Sequence, residues 1–193
     1  MAASNDNVRR TRILETATGV FLRYGLRKTS MDDLARAAGL SRQALYLHFA
    51  TKEDLFRAAL IQLLDSLRSA ERAALAREDL PFEDRVVAAF EAVHAHLIGS
   101  DSAAHMSELL EAATEHLGGS LGELETTLVA DVARALKSAG IPARWKHEAF
   151  NARTLAEHLS ATSMGLKHSV ATREHYRERM RIAVRIACRG EVP

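Results

Sequence analysis

Apolar residues recur at helical spacing along nearly the whole chain, with polar residues between them. Ile13, Ala17, Val20, Phe21 and Tyr24 make one stripe and predict a first helix over about residues 8–24. Gly25 ends it, and Leu26 can pack back across the cap. Residues up to about Asn7 lack the period and are expected to be a frayed tail. Three helix starts then follow in succession. Ser30 with Asp33 has the form of a capping box, and Leu34, Ala35 and Ala38 share a face before Gly39 stops that helix. Ser41 caps a second short helix whose Leu45 and Phe49 face inward. Thr51 with Asp54 opens a third, which the stripe Phe56, Leu60, Leu63, Leu64 and Leu67 carries to about Glu78.

The same period continues to the C-terminus. Pro81 precedes a fifth helix carrying Val86, Phe90, Val93 and Leu97. A sixth follows Asp101, with Met106, Leu109, Leu110, Ala113 and Leu117 on one face. Glycines at 118, 119 and 122 break the chain, and Ser120 with Glu123 starts a seventh helix (Leu124, Leu128, Val132, Leu136) that Gly140 and Pro142 end. An eighth is expected over about residues 144–169. Thr172 caps a ninth with Tyr176, Met180, Ala183, Val184 and Ala187. No strand-like alternation and no repeat is present, so the fold class is all-α. The division expected is an N-terminal domain over residues 1–54 and a helical domain over 55–193, with no flexible linker and the fourth helix as the beam between them.

Two short helices joined by Gly39, Leu40 and Ser41, the second with a polar outward face, describe a helix-turn-helix. The succession Thr29, Ser30, Leu34, Ala35, Ala38, Gly39, Ser41, Leu45, Tyr46, His48, Phe49, Lys52 and Leu55 resembles the DNA-binding domain of TetR-family regulators. Ile13 to Gly25, with Phe21 and Tyr24, is similar to that family's first helix. The resemblance covers roughly the first 56 residues; Gln43 stands where many relatives carry Gly or Pro. It implies a homodimer formed through helices 8 and 9 that binds near-palindromic double-stranded operator DNA. It further implies a small-molecule effector held among helices 4 to 8, with repression likelier by analogy than activation.

A recognition helix reads bases with its N-terminal residues, here Ser41, Arg42, Gln43 and Ala44. Arg can grip guanine and Gln adenine bidentately, each pair discriminating by roughly 1–3 kcal/mol. A solvated face touching only phosphates is the alternative for both. Leu47 projects outward and is a candidate for a thymine methyl. By resemblance, Tyr46, His48 and Lys52 approach the DNA backbone, as do Thr29 and Ser30 at the start of the second helix.

Charge supports this placement. The chain carries a formal net charge of +1, but residues 1–54 hold 9 Lys/Arg against 6 Asp/Glu, leaving the remainder mildly acidic. The single Cys188 can make no internal disulfide, and no apolar run reaches the ~20 residues of a membrane span, which suits a cytoplasmic protein with no membrane partner. The nine histidines raise the question of a metal. Glu91 and His94 form one ExxH, but a second is lacking, and Glu108, Glu111 and Glu115 are expected on the solvated face of helix 6. No metal, no cofactor and no catalytic constellation is expected. His94 and His158 interrupt apolar stripes, and polar groups on apolar walls orient ligands. An effector cavity is therefore expected among Phe90, His94, Leu110, Leu128, His158 and Thr162; hydrogen-bonded core or interface histidines are the alternative. The rival function keeps the DNA-binding head without an effector: a structural or nucleoid factor whose body only dimerises.

Overall fold

The computed structural model describes residues 2–95, 98, 106–145 and 150–189, with the side chains of 2–5, 106, 107, 110, 120 and 121 outside the description. The described residues form nine α-helices and one 3₁₀ helix: α1 (Ala2–Tyr24), α2 (Met31–Ala37), α3 (Arg42–Tyr46), α4 (Lys52–Leu75), α5 (Phe82–His94), α6 (Met106–Leu117), α7 (Ser120–Ser138), the 3₁₀ helix Ile141–Trp145, α8 (Ala152–Ser169) and α9 (Arg173–Arg189). No strand occurs among the described residues, and the all-α expectation holds.

Two boundaries depart from the sequence reading. The first helix starts at Ala2, ahead of its apolar stripe, because an added residue needs only its hydrogen bond to propagate a helix. The eighth starts at Ala152, where Asn151 Oδ1 accepts the Thr154 N–H at 3.0 Å. That asparagine is an ordinary N-cap signal, and it lies well after the expected start at residue 144.

Contacts divide the chain into two units, residues 1–66 with 100–121, and residues 67–99 with 122–193. Packing thus groups α6 and the first part of α4 with α1–α3. In the first unit Ile13, Leu14, Ala17 and Phe21 of α1 meet Leu34 and Ala35 of α2, Leu45 of α3, Leu55 and Phe56 of α4, and Leu109 and Ala112 of α6. Phe21 and Phe56 meet edge to face at 5.1 Å.

In the second unit α9 lies along α5 and α8, burying Tyr176, Met180, Val184 and Ala187. One flank of α9 carries Arg177, Arg181 and Arg185 at four-residue spacing. They reach Glu91 (bidentate, 2.7 and 2.6 Å), Asp84 (3.0 Å) and Glu83 (3.7 Å) on α5. Trp145 Nε1 and Arg144 Nη1 donate to the Ala187 and Cys188 carbonyls at 2.8 and 2.7 Å, closing the last turn of α9. Burial pushes the Cys188 thiol up to about 11, so it packs as a small apolar residue.

Glu71 on α4 is 1% exposed, and its Oε1 is buried without a hydrogen-bond partner. Burial first, and then the nearby Asp131 carboxylate, push it up to about 7 against the opposing Arg72 and Arg134. Its folded-state value therefore lies above the ordinary 4.5, so its contribution to stability is fully present below that pH and is lost as pH rises through about 7. Glu71→Gln is expected to raise stability by roughly 1–3 kcal/mol at about pH 8, with the gain vanishing toward about pH 4.5. Thermal unfolding across that range checks it; a gain independent of pH would assign the effect to something other than ionisation.

Candidate nucleic-acid interface

The helix-turn-helix is built by local hydrogen bonding. Ser30 accepts the Asp33 N–H at 3.2 Å, while Asp33 Oδ2 accepts the Ser30 N–H at 3.1 Å and its hydroxyl at 2.5 Å, a complete capping box on α2. Those bonds hold the Asp33 carboxyl below its ordinary value. Gly39, at φ +66°, supplies the left-handed residue of the turn. Ser41 Oγ then accepts the Ala44 N–H at 3.1 Å and starts α3, and Thr51 Oγ1 accepts the Asp54 N–H at 3.0 Å before α4 continues.

This arrangement leaves Ser30, Ser41, Arg42, Gln43, Tyr46 and Leu47 exposed, with Ala44 and His48 half-buried. Leu47 is 87% exposed, more than any other large apolar residue among those described, while Leu45 and Phe49 on the opposite side are buried. The face is polar around a single apolar projection. Arg42 is already oriented: its Nη1 lies 3.2 Å from Asp32 Oδ2, its Nη2 donates toward Tyr46 Oη at 3.5 Å, and its guanidinium sits over the Tyr46 ring at 5.5 Å. The Tyr46 hydroxyl first, and then Asp32, hold it above the usual arginine range. Asp32 was not anticipated. No sequence spacing announces it, because the pair forms only once the turn sets α2 against α3.

Two residues expected on the interface are tied inward. Thr29 is 3% exposed and donates its hydroxyl to the Gly25 carbonyl at 2.6 Å, so its side chain does not face outward. Lys52, half-buried, donates Nζ to the Leu26 carbonyl at 2.9 Å. Glu108 also corrects an expectation. It is half-buried and accepts the Arg27 N–H at 2.8 Å, and its Oε2 would stand 2.9 Å from a Cβ on Gly25, itself at φ +80°. Glu111 and Glu115 are exposed, as expected. Among the described residues no group of three or more His, Cys, Asp or Glu could hold a metal ion, and no helix is long and apolar enough to cross a membrane.

The expected effector cavity is not assembled as drawn. Phe90, His94 and Leu128 are buried, but His158 and Thr162 lie on an exposed face of α8, and the Leu110 side chain lies outside the described residues. The difference is one of helix phase, since the inward face of α8 carries Leu155, Ala156, Leu159, Ser160 and Ser163. His94 is 6% exposed, with Nδ1 2.6 Å from Ser163 Oγ and Nε2 2.9 Å from Glu125 Oε2. Ser163 also bonds Tyr176 Oη, and Ser160 donates to Glu125 Oε1. One assignment satisfies all of them: Tyr176 donates to Ser163, Ser163 to His94 Nδ1, and His94 Nε2–H to Glu125. Burial, the largest influence, opposes ionisation of Glu125, yet the bonds from His94 and Ser160 hold its carboxyl below the ordinary value. Burial pushes the Tyr176 phenol up to about 12. Although Ser, His and Glu meet here, Ser163 is fully buried, so the cluster ties α5, α7, α8 and α9 together.

Residues 13–59 match the model of the tetR family of bacterial regulatory proteins. The HTH-type transcriptional repressor KstR2 of Mycobacterium tuberculosis is 36% identical over 97 residues, 49% of this chain and 48% of its own length. The HTH-type transcriptional activator FasR of Mycolicibacterium smegmatis is 39% identical over 84 residues, 44% of this chain and 38% of its own. The matched stretch thus spans about half or less of the length of these relatives. A putative transcriptional regulator from Saccharomonospora viridis, solved in complex with choline, superposes with a TM-score of 0.69 at 20% identity, covering 94% of this chain and 97% of that one. That similarity is one of fold.

Arg42→Ala is expected to weaken binding to a specific site by roughly 1–3 kcal/mol while changing binding to random duplex little. Lys52→Ala is expected to weaken both equally, and to lower the melting temperature as well, because it removes the bond to the Leu26 carbonyl, worth about 1 kcal/mol. Titrations on selected and scrambled duplexes, with a thermal melt of each variant, check the pair. Equal loss of specificity in both would remove Arg42 from base reading.

Proposed function

We propose, from the match of residues 13–59 to the model of the tetR family of bacterial regulatory proteins, that this chain is a transcriptional regulator of that family, a repressor by preference, that binds near-palindromic operator DNA as a homodimer. The observation that carries this reading is the exposed face of α3. Arg42 and Gln43 stand at its base-reading end, Leu47 projects beside them, and Leu45 and Phe49 anchor the other side in the core. Ser30, exposed at the start of α2, suits phosphate contact. Regulation, not catalysis, is the activity proposed. Repression follows the KstR2 relative; the FasR relative is an activator, so the sign rests on analogy.

Dimerisation is proposed through α8 and α9. The arginine ladder and the buried stripe occupy the side of α9 toward α5 and α8, leaving Ile182 and Ile186 at 56% and 62% exposure. Beside them a groove of about 330 Å³ runs between Trp145, Phe150, His158, Thr162, Ala183 and Ile186. Apolar side chains gathered on one face mark an interaction surface. His158 and Thr162, first assigned to an effector cavity, belong to this groove. An effector that releases the DNA remains part of the proposal; the hydrogen bonds around His94 make it a core histidine, so the effector is not proposed to bind there.

Selection of duplexes from a random pool should return a two-fold symmetric site with half-sites about one helical turn or a small multiple apart. Ile186→Asp, which places a charge where the partner is proposed to pack, should yield monomers in sedimentation and lose most affinity for that site, since burying an unpaired charge costs several kcal/mol. An asymmetric half-site, or an intact dimer in the variant, would overturn the dimeric reading.

A further inference from the structure

Within the second unit, the end of α4, the start of α5 and the second half of α7 border an open cavity of about 610 Å³. Its walls combine two kinds of surface. Leu75, Phe82 and Ala135 provide an apolar side. Arg72, Arg85, Arg134 and Asp131 provide a charged one with three guanidiniums to one carboxylate. Arg85 is committed: its Nε donates to the Leu75 carbonyl at 2.7 Å, and its guanidinium lies over the Phe82 ring at 5.9 Å. Arg72 and Arg134 converge on Asp131, through Nε at 3.3 Å and Nη2 at 2.8 Å.

That convergence leaves donors over. A guanidinium carries five N–H groups in a planar fork. Arg72 and Arg134 are 65% and 72% exposed while Asp131 is only 8% exposed, so the carboxylate lies at the base and the cations at the mouth. Behind Asp131 sits Glu71, buried and pushed toward its neutral form. The opening therefore presents excess positive charge beside an apolar wall. A cation would be repelled, a neutral apolar molecule would leave the forks unused, and an anion with an apolar chain meets both surfaces.

We propose that this cavity binds an amphipathic carboxylate, its head held by the outer donors of Arg72 and Arg134 and its chain laid along Leu75, Phe82 and Ala135. The site lies apart from the His94 cluster and from the α8–α9 groove. Only its meaning as an effector site rests on the regulatory reading; the binding itself does not.

Calorimetric titration of the full-length protein with octanoate, octan-1-ol and octyltrimethylammonium tests it. The expected result is saturable octanoate binding with one site per chain, about tenfold or more tighter than either other probe. Arg72→Gln and Arg134→Gln should each weaken octanoate about tenfold, and Ala135→Trp should fill the cavity and abolish binding. Circular dichroism identifies a variant that fails to fold; both arginines are exposed, so their variants decide the matter if the tryptophan variant does not fold. Absence of saturable octanoate binding, equal affinity for the three probes, or binding indifferent to both arginine variants would overturn the proposal. Octanoate binding by a protein that selects no duplex would leave the site standing and fail the regulatory reading alone.

Discussion

The geometry of the first unit depends on the turn between α1 and α2. Gly25 adopts φ +80°, which a residue with a Cβ rarely does, and the Glu108 carboxylate of α6 would stand only 2.9 Å from such a Cβ while it accepts the Arg27 N–H. Thr29 closes the turn from the other end on the Gly25 carbonyl, and Lys52 of α4 reaches back to the Leu26 carbonyl. Three side chains from separate parts of the sequence thus satisfy backbone groups of the turn that follows α1. Each bond contributes only about 0.5–1.5 kcal/mol net, but together they fix where α2 begins and so where α3 can present its outer face. Arg42, Gln43 and Leu47 are functional candidates because this turn holds.

The second unit is organised by a different principle. Its interior contains a continuous chain of polar groups from Tyr176 through Ser163 and His94 to Glu125 and Ser160, every one of them answered by a neighbour. A buried set of this kind favours one arrangement of α5, α7, α8 and α9 over its alternatives, because breaking one member strands another. The arginine ladder fixes the same α5–α9 pairing from the surface, where such pairs are individually weak and act through their number and register. What remains outside these two devices is the apolar flank of α9 and the arginine-rimmed cavity beside α7.

Much of this was legible in the sequence because it is local. The capping residues Ser30, Ser41, Thr51 and Thr172 each accept a backbone N–H three residues on, as their spacing to the following helix implied. The stripe Leu124, Leu128, Val132 and Leu136 is buried throughout. What was not legible depends on partners distant in sequence. Glu108 reads as one of three solvated acids until α6 is laid against the end of α1. His158 reads as a pocket residue until packing buries the face of α8 that carries Leu155, Leu159 and Ser163, which turns His158 outward. The Asp32–Arg42 pair and the Glu71–Asp131 pair have no sequence signature at all, since each depends on an angle between helices.

Leu47, 87% exposed on the outer face of α3 that is proposed to meet DNA, is the place to test that contact. Replacing Leu47 with the photo-crosslinking residue p-benzoylphenylalanine, and in a second variant the exposed Ile61 of α4, gives two probes in the same unit, one on the proposed interface and one on a different helix. Irradiation with the selected duplex should yield a covalent protein–DNA adduct from position 47 and little or none from position 61. Adducts from position 61 alone, or equal yields from both, would show that the outer face of α3 is not the DNA contact.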